Sequence, residues 1–115
     1  MKLKNHGDCV NAVREAVSKL GGVSMKYTVG MFRQMDGERL IRIGQPGVSD
    51  VIACIGGTFV GIEVKFSDGD QVSAEQDKFR EVLERAGGKW VLADFRRGND
   101  GCEAVTDLIG EAHPC

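Results

Sequence analysis

The feature that most constrains the fold is a pair of short apolar segments joined by two glycines, which together read VIACIGGTFVGIEVKF over residues 51–66. Each segment has the length and the β-branched content of a strand. Gly56 and Gly57 between them are suited to a tight turn. Because segments joined by so short a turn usually pair with each other, the sequence predicts two neighbouring strands in one sheet.

The second of these strands carries two charged residues near its centre. Side chains alternate between the faces of a strand, so one face carries only Val60, Ile62 and Val64. Glu63 and Lys65 share the other face with a glycine. One interpretation is an exposed ion pair on a solvated face, which contributes about 0–1 kcal/mol. The other interpretation is a functional site, and the surrounding residues must decide between the two.

An aspartate stands at the start of the neighbouring strand. The Gly/Pro-containing loop GQPGVSD, residues 44–50, delivers Asp50 to the beginning of that strand. Adjacent strands lie about 4.8 Å apart, so Asp50 and Glu63 can converge on one cation with Lys65 at its edge. Mg²⁺ suits such a site because it binds one or two carboxylates, keeps several waters and takes phosphate oxygens. Polarisation of a phosphoryl group by the cation, with Lys65 orienting water or neutralising developing charge, implies phosphodiester hydrolysis.

The remainder of the chain alternates between helical and strand patterns, with no repeat or linker that would indicate a second domain. Glycine pairs at 21–22 and 87–88 end two helical patterns, and Asp36-Gly37 suits a hairpin turn. The predicted elements besides the pair at 51–66 are a helix at about 8–20, a strand at 22–29, two short strands within 32–43, a helix between Ser73 and Gly87, a strand at 89–95 and a closing helix at 101–112. We therefore expect one α/β domain over residues 1–115.

The helix that follows the strand pair begins with a capping signal. Ser73 is the expected N-cap, and Gln76 completes the Ser-x-x-Gln pattern of a capping box. Gln76 can serve only the helix, by accepting from the Ser73 amide, or it can also face the charged strand. The sequence leaves these two roles open.

Composition bounds the class of protein. A chain of 115 residues with 42% hydrophobic content can bury a sufficient core without disulfides or a structural metal. The cysteines at 9, 54, 102 and 115 form no CxxC or Cys/His cluster, which argues against a zinc site and a disulfide scaffold. The polar N-terminus is unlike a signal peptide, and no apolar run approaches the roughly 18 residues of a membrane span. We expect a soluble intracellular protein.

Charge is unevenly distributed, although the formal net charge is only −2. Residues 1–48 carry 8 Lys+Arg against 4 Asp+Glu, whereas residues 49–115 carry 7 against 13. The first part can therefore face a polyanion. Four of its basic residues lie between the first helix and Asp50, namely Lys26, Arg33, Arg39 and Arg42. We expect them to bind phosphates rather than read bases, and the alternative is that they only solvate a hairpin.

Four features occur in an order that is similar to a known nuclease family. They are Gly47-x-x-Asp50, Glu63-x-Lys65 after a spacer of 12 residues, Gln76 at the start of a helix, and the Ala-Gly-Gly that ends this helix. The set resembles the VRR-NUC (virus-type replication-repair nuclease) branch of the PD-(D/E)XK nucleases, over about residues 8–95. The resemblance implies a restriction-endonuclease-like αβββαβα core, in which helices flank a mixed central sheet.

The same resemblance implies a DNA endonuclease that depends on Mg²⁺ or Mn²⁺ and acts on structured or branched, junction-like DNA. Small stand-alone members of the family are phage or prophage proteins that resemble Holliday-junction resolvases, which implies a homodimer in the cytoplasm of a bacterial host. A two-fold dimer has the physical advantage that its two sites can cut two strands. The alternatives are a non-catalytic DNA-binding module that retains the nuclease fold, and a small-molecule phosphohydrolase or structural protein that uses the same metal site.

Individual roles follow from the same motifs. The resemblance implies that Asp50 and Glu63 bind the metal and that the carbonyl of Val64 joins them. Lys65 matches the family's catalytic lysine. Gln76 matches the glutamine at the start of the following helix.

Two positions depart from the family's pattern. Its Pro-Asp dipeptide is Ser49-Asp50 here, which retains the carboxylate. The acid often found on its first helix has no single counterpart, since His6 stands near that position and Asp8 and Glu15 are the nearest acids. From the residues alone, His6 is expected to be a solvated terminal histidine and Glu15 a solvated helix residue. The sequence leaves open which of the three replaces the acid.

Overall fold

A computed structural model describes residues 3–28, 30–33, 40–96, 101–103 and 105–107, with the backbone alone for 30–33 and 41–43. In these ranges, five consecutive strands lie between the first two helices. The elements in chain order are α1 (His6–Lys19), β1 (Val23–Lys26), β2 (Gly30–Arg33), β3 (Leu40–Ile43), β4 (Val51–Ile55), β5 (Thr58–Lys65), α2 (Ala74–Arg85) and β6 (Lys89–Asp94). Residues 101–103 and 105–107 are also helical. Within these described ranges, no helix has the length and apolar character needed to cross a membrane.

Four of the strands form one mixed sheet in the order β1-β4-β5-β6. The β1–β4 and β4–β5 pairs are antiparallel, whereas β5 and β6 run parallel. A parallel neighbour requires a crossover, and α2 provides it. β2 and β3 form a separate antiparallel pair, inserted between the first two strands of the main sheet. The predicted α/β class, with a mixed central sheet flanked by helices, is confirmed.

Some element boundaries differ from the predictions. α1 begins at His6, two residues earlier than predicted, because Asn5 is its N-cap. The strand predicted at 22–29 is limited to Val23–Lys26, after which the chain turns toward the separate β2–β3 pair. The turn predicted at Asp36-Gly37 and the last part of the closing helix, residues 108–112, lie outside the described residues.

One face of the sheet packs against α1 and forms the apolar core. Val60, Ile62 and Val64 of β5 contribute to it as the alternation predicts, each no more than 1% exposed. Burial of one such side chain stabilises the fold by about 1.5–3 kcal/mol. The other members of this core are Cys9, Val10, Val13, Val17, Val51, Ala53, Ile55, Val91, Ala93, Phe95 and Val105.

The opposite face of β5 is covered as well, by α2. A Cβ at Gly61 would lie 2.7 Å from Ser49 Oγ and 3.1 Å from Leu83 Cδ2, so the missing side chain lets α2 approach the strand closely. Glu63 and Lys65, on the same face, are only 1% and 7% exposed. This burial excludes the interpretation of an exposed ion pair on a solvated face.

Candidate active site

Asp50 and Glu63 meet where β4 begins and β5 approaches its end. Val51 pairs with Ile62, which places Asp50 directly opposite Glu63. Asp50 Oδ2 also accepts a hydrogen bond of 2.8 Å from the Val64 amide on the neighbouring strand. The backbone of β5 therefore orients the Asp50 carboxylate toward Glu63, and the structure brings together the two acids that the sequence paired.

The Glu63 carboxyl group has one satisfied and one unsatisfied oxygen. Gln76 Nε2 donates to Oε1 at 2.6 Å, and Lys65 Nζ lies 3.6 Å from the same oxygen. Oε2 is buried and has no hydrogen-bond partner within the described protein atoms. Burial raises the pKa of Glu63 to about 8, helped by the nearby Asp50 carboxylate, while Lys65 acts in the opposite direction. An uncompensated buried carboxylate is costly, so this pair of acids favours a proton or a cation beside it.

Because burial raises the pKa of Glu63, the metal-free protein is expected to lose stability as the pH rises from about 5 to about 8. Between the usual pKa of 4.5 in the unfolded chain and about 8 in the folded protein, the folded state holds the extra proton. The free energy of unfolding therefore falls with pH in this window, by at most about 1.4 kcal/mol per pH unit, and Glu63 adds no slope outside it.

Urea unfolding at a series of pH values, with a chelator present, measures this effect. The matched control is Glu63→Gln, which cannot titrate, so the quantity of interest is the stability difference between the two proteins. A difference that stays constant across the window would contradict the assignment.

Lys65 is held between the acid and the amide of α2. Its ammonium group donates to Gln76 Oε1 at 3.3 Å in addition to pairing with Glu63. Three donors are available on an ammonium group, so Lys65 retains the capacity to bind a further oxygen atom. The lysine is thus positioned at the carboxylate cluster.

Gln76 performs both of the roles that the sequence left open. Its Oε1 accepts from the Ser73 amide at 2.9 Å, while the Ser73 hydroxyl accepts from the Gln76 amide at 3.1 Å, which completes the capping box. The same side chain contacts Glu63 and Lys65 through its two ends. The first turn of α2 is therefore fixed to the charged face of β5 by a single residue.

His6 is exposed, as expected for a histidine near the N-terminus, but the structure also places it at the site. His6 is the first residue of α1, and its Nε2 lies 3.1 Å from the carbonyl oxygen of Val64 and 3.5 Å from Asp50 Oδ2. Its side chain is 47% exposed, so the ring lines the open side of the site. The available sequence signal was the cap, since Asn5 followed three residues later by Asp8 marks a helix start just before His6.

The other two candidates for the first-helix acid have local roles. Glu15 forms an exposed ion pair with Lys19 at 3.6 Å, as expected for a solvated helix residue. Asp8 closes the first turn of α1, where its amide donates to Asn5 Oδ1 and its Oδ2 accepts from the Lys4 amide. The described contacts of these acids do not include Asp50 or Glu63.

The predicted phosphate-binding residues are only partly described. Lys26 is exposed at the end of β1. The backbones of Arg33 and Arg42 lie in β2 and β3, where Arg33 pairs with Leu40. Arg39 lies outside the described residues. Arg42 lies opposite Met31, so the two arginines are on neighbouring strands but are not direct partners.

The donor set suits an oxygen-preferring cation that keeps part of its water shell. Across the described residues, no group of three His, Cys, Asp or Glu side chains forms a metal-binding cluster. The atoms that converge are instead carboxylate oxygens of Asp50 and Glu63 and the carbonyl oxygen of Val64, with one Glu63 oxygen unsatisfied. One or two carboxylates completed by water and substrate oxygens are typical of Mg²⁺.

A solved structure described as a VRR_NUC domain is similar to this chain. The two share 20% sequence identity and superpose with a TM-score of 0.58, over 90% of this chain and 92% of that chain. No protein-family profile and no curated protein sequence matches the chain. The similarity over nearly the whole length of both chains shows that this protein has the fold of the VRR_NUC domain.

Proposed function

We propose that this protein is a metal-dependent nuclease that hydrolyses phosphodiester bonds in DNA, preferably in structured or branched DNA. The observation that carries the proposal is the cluster of buried Glu63 and Lys65 with the partly exposed Asp50, in which one Glu63 carboxylate oxygen lacks a hydrogen-bond partner among the described residues. A fold maintained by apolar packing has no need to place a buried acid beside a second acid, because burial of charge next to a like charge costs stability. Perturbed carboxylates at the open end of a sheet are typical of functional sites.

Each residue of the cluster has a distinct role in this proposal. When bound, a divalent cation polarises a phosphoryl group and lowers the pKa of a bound water. Asp50, Glu63 and the Val64 carbonyl hold it. The Lys65 ammonium group orients the attacking water or neutralises charge that develops on the phosphate. Gln76 keeps the carboxylate of Glu63 and the ammonium group of Lys65 in a fixed relation.

The uneven charge of the chain supports DNA as the substrate. The acidic cluster lies in the second part of the sequence, whereas residues 1–48 carry twice as many basic as acidic residues, 8 against 4. Basic residues that bind phosphates give affinity without sequence preference.

A homodimer would present two active sites to two strands of a junction, as in a Holliday-junction resolvase. We infer from the resemblance to the small VRR-NUC proteins that this protein acts in the cytoplasm of a bacterial host, as a phage or prophage product.

The experiment that tests the function is cleavage of a DNA panel in Mg²⁺ or Mn²⁺. Linear, nicked, flap and four-way DNAs with identical sequence arms are incubated with the protein, and a chelator serves as the metal-free control. We expect metal-dependent cleavage that is faster on the branched substrates. Binding to DNA without cleavage of any substrate in either metal would instead favour the non-catalytic DNA-binding module.

Replacement of Arg33, Arg39 and Arg42 together by Ala is expected to weaken binding to unrelated DNA sequences alike. Each phosphate contact that is lost reduces the slope of log K against log salt by about 0.9 on duplex DNA. Binding is measured at several salt concentrations on a Glu63→Gln background, so that cleavage does not interfere.

The control for this triple variant removes basic residues from another surface. Lys19 and Arg85 are 76% and 72% exposed on the two helices, and their replacement by Ala should leave the salt slope nearly unchanged. An unchanged slope in the triple variant would place the DNA path elsewhere, with exposed Lys78 on α2 as the next residue to test.

A further inference from the structure

His6 is anchored at the candidate active site by the core of the protein. It is the first residue of α1, which is capped by Asn5. The helix is fixed to the sheet by Cys9, Val10 and Val13, all at most 1% exposed. Since the ring is attached to a buried helix, its approach to β5 across a sequence separation of 58 residues does not depend on a surface loop.

The ring nitrogen that faces the site touches the same oxygen atoms that a cation would use. Nε2 lies 3.1 Å from the Val64 carbonyl oxygen and 3.5 Å from Asp50 Oδ2. Without a cation, an Nε2–H group donates to that carbonyl. With the proton on Nδ1, Nε2 instead presents a lone pair toward the two oxygens. The nitrogen of His6 and the two oxygens of Val64 and Asp50 then face a common region.

We propose that His6 is a nitrogen ligand of the divalent cation, and that it makes the site select Mn²⁺ or a similar transition metal over Mg²⁺. This inference rests on the proposed function, because it assumes the cation held by Asp50 and Glu63. The described residues contain no preassembled group of three such side chains, so His6 completes the ligand set only when a cation draws these groups together. Imidazole is a ligand for transition metals, whereas Mg²⁺ prefers oxygen donors and sheds its water reluctantly. A neutral imidazole adds no negative charge to the two carboxylates, and the charge of Lys65 opposes theirs. The electrostatic attraction on which Mg²⁺ depends is therefore weaker than it would be with a third carboxylate in this position.

The direct test is pulsed electron paramagnetic resonance of Mn²⁺ bound to the full chain, which detects a coordinating imidazole through the coupling of its ¹⁴N nucleus. The chain contains only 2 histidines, so His113→Ala is a matched control that leaves His6 in place. We expect nitrogen coupling in the wild-type protein and in His113→Ala, and its loss in His6→Ala and His6→Gln. The Gln variant retains an amide donor for the Val64 carbonyl. Loss of the coupling in this variant is therefore not caused by loss of that hydrogen bond.

Calorimetric titration gives an independent measure of metal selectivity. Removal of groups that only orient a metal ligand typically costs about 10–100-fold in affinity, so His6→Gln should weaken Mn²⁺ binding by at least about tenfold. Mg²⁺ binding should change much less. His6→Glu should shift the preference toward Mg²⁺, since it adds an oxygen donor and a negative charge. Thermal unfolding of each metal-free variant verifies that the fold is retained.

The outcomes separate this inference from the function on which it rests. One outcome would overturn the role of His6 alone. In it, Asp50→Asn abolishes Mn²⁺ binding, His6→Gln leaves the binding unaffected, and the wild-type protein shows no nitrogen coupling. Absence of Mn²⁺ and Mg²⁺ binding to the folded wild-type protein would overturn the metal site itself. Nitrogen coupling that disappears with His6 but persists without His113 would establish the ligand.

Discussion

Glu63→Gln is expected to abolish DNA cleavage while leaving the metal-free fold intact or more stable. The substitution keeps the shape of the side chain and removes the charge that would hold the cation. Loss of one group that stabilises the charge of a transition state costs about 10²–10³-fold in rate, and loss of the metal adds to this. Because the pKa of Glu63 is raised to about 8, the neutral amide resembles the protonated form that the folded protein already favours. Activity and stability should therefore move in opposite directions.

Single-turnover cleavage and thermal unfolding, measured on the same preparations, check this prediction. Asp50→Asn should behave similarly, since the amide oxygen can still accept from the Val64 amide and preserve the contact between the strands. Glu81→Gln is the matched control, because Glu81 is 69% exposed on α2 and forms a surface ion pair with Arg85. Cleavage at the wild-type rate by Glu63→Gln or Asp50→Asn at the same metal concentration would show that Asp50 and Glu63 do not form the active site.

The part of the site that could be predicted from the sequence is the part that depends on local periodicity. Alternation along β5 put Glu63 and Lys65 on one face, and the Gly56-Gly57 turn put Asp50 opposite Glu63. The capping pattern placed Gln76 in the first turn of α2. These relations follow from strand geometry and helix capping, which neighbouring residues determine.

The contact of His6 could not be predicted in this way, because it joins residues 58 positions apart. It depends on the exact start of α1 and on the rotation of this helix over the sheet, and a shift of two residues in the predicted boundary hid it. The burial of both faces of β5 was also unpredictable from alternation, which indicates a polar face but not what covers it. Here α2 covers it, through the close approach that Gly61 permits.

Parallel pairing of β5 with β6 explains why the helix that covers the site also contributes to it. A parallel pair needs a crossover connection, so the chain must leave the end of β5, cross one face of the sheet and return at the start of β6. The site lies at the end of β5 from which the crossover departs. The first turn of α2 consequently begins beside Lys65, within reach of Glu63, and a capping residue becomes a residue of the site.

Lys65→Ala is expected to separate catalysis from metal binding. An ammonium group cannot coordinate a cation, so its removal takes away no ligand, and it also removes a positive charge that repels the metal. Turnover should fall by about 10²–10³-fold, because the water or the developing phosphate charge loses its partner. Single-turnover rates at saturating metal, beside calorimetric metal titrations, measure the two effects.

The design must allow for the influence of Lys65 on Glu63. Lys65 lowers the pKa of Glu63, so in Lys65→Ala a proton competes more strongly with the metal near neutral pH. The titrations are therefore run above the wild-type Glu63 pKa of about 8, where this competition is smallest. Lys19→Ala, which removes an exposed lysine from α1, is the control for a general loss of positive charge. A variant that loses metal affinity at this pH, yet cleaves at the wild-type rate once the metal is saturating, would show that Lys65 serves to organise the carboxylates and takes no part in the chemical step.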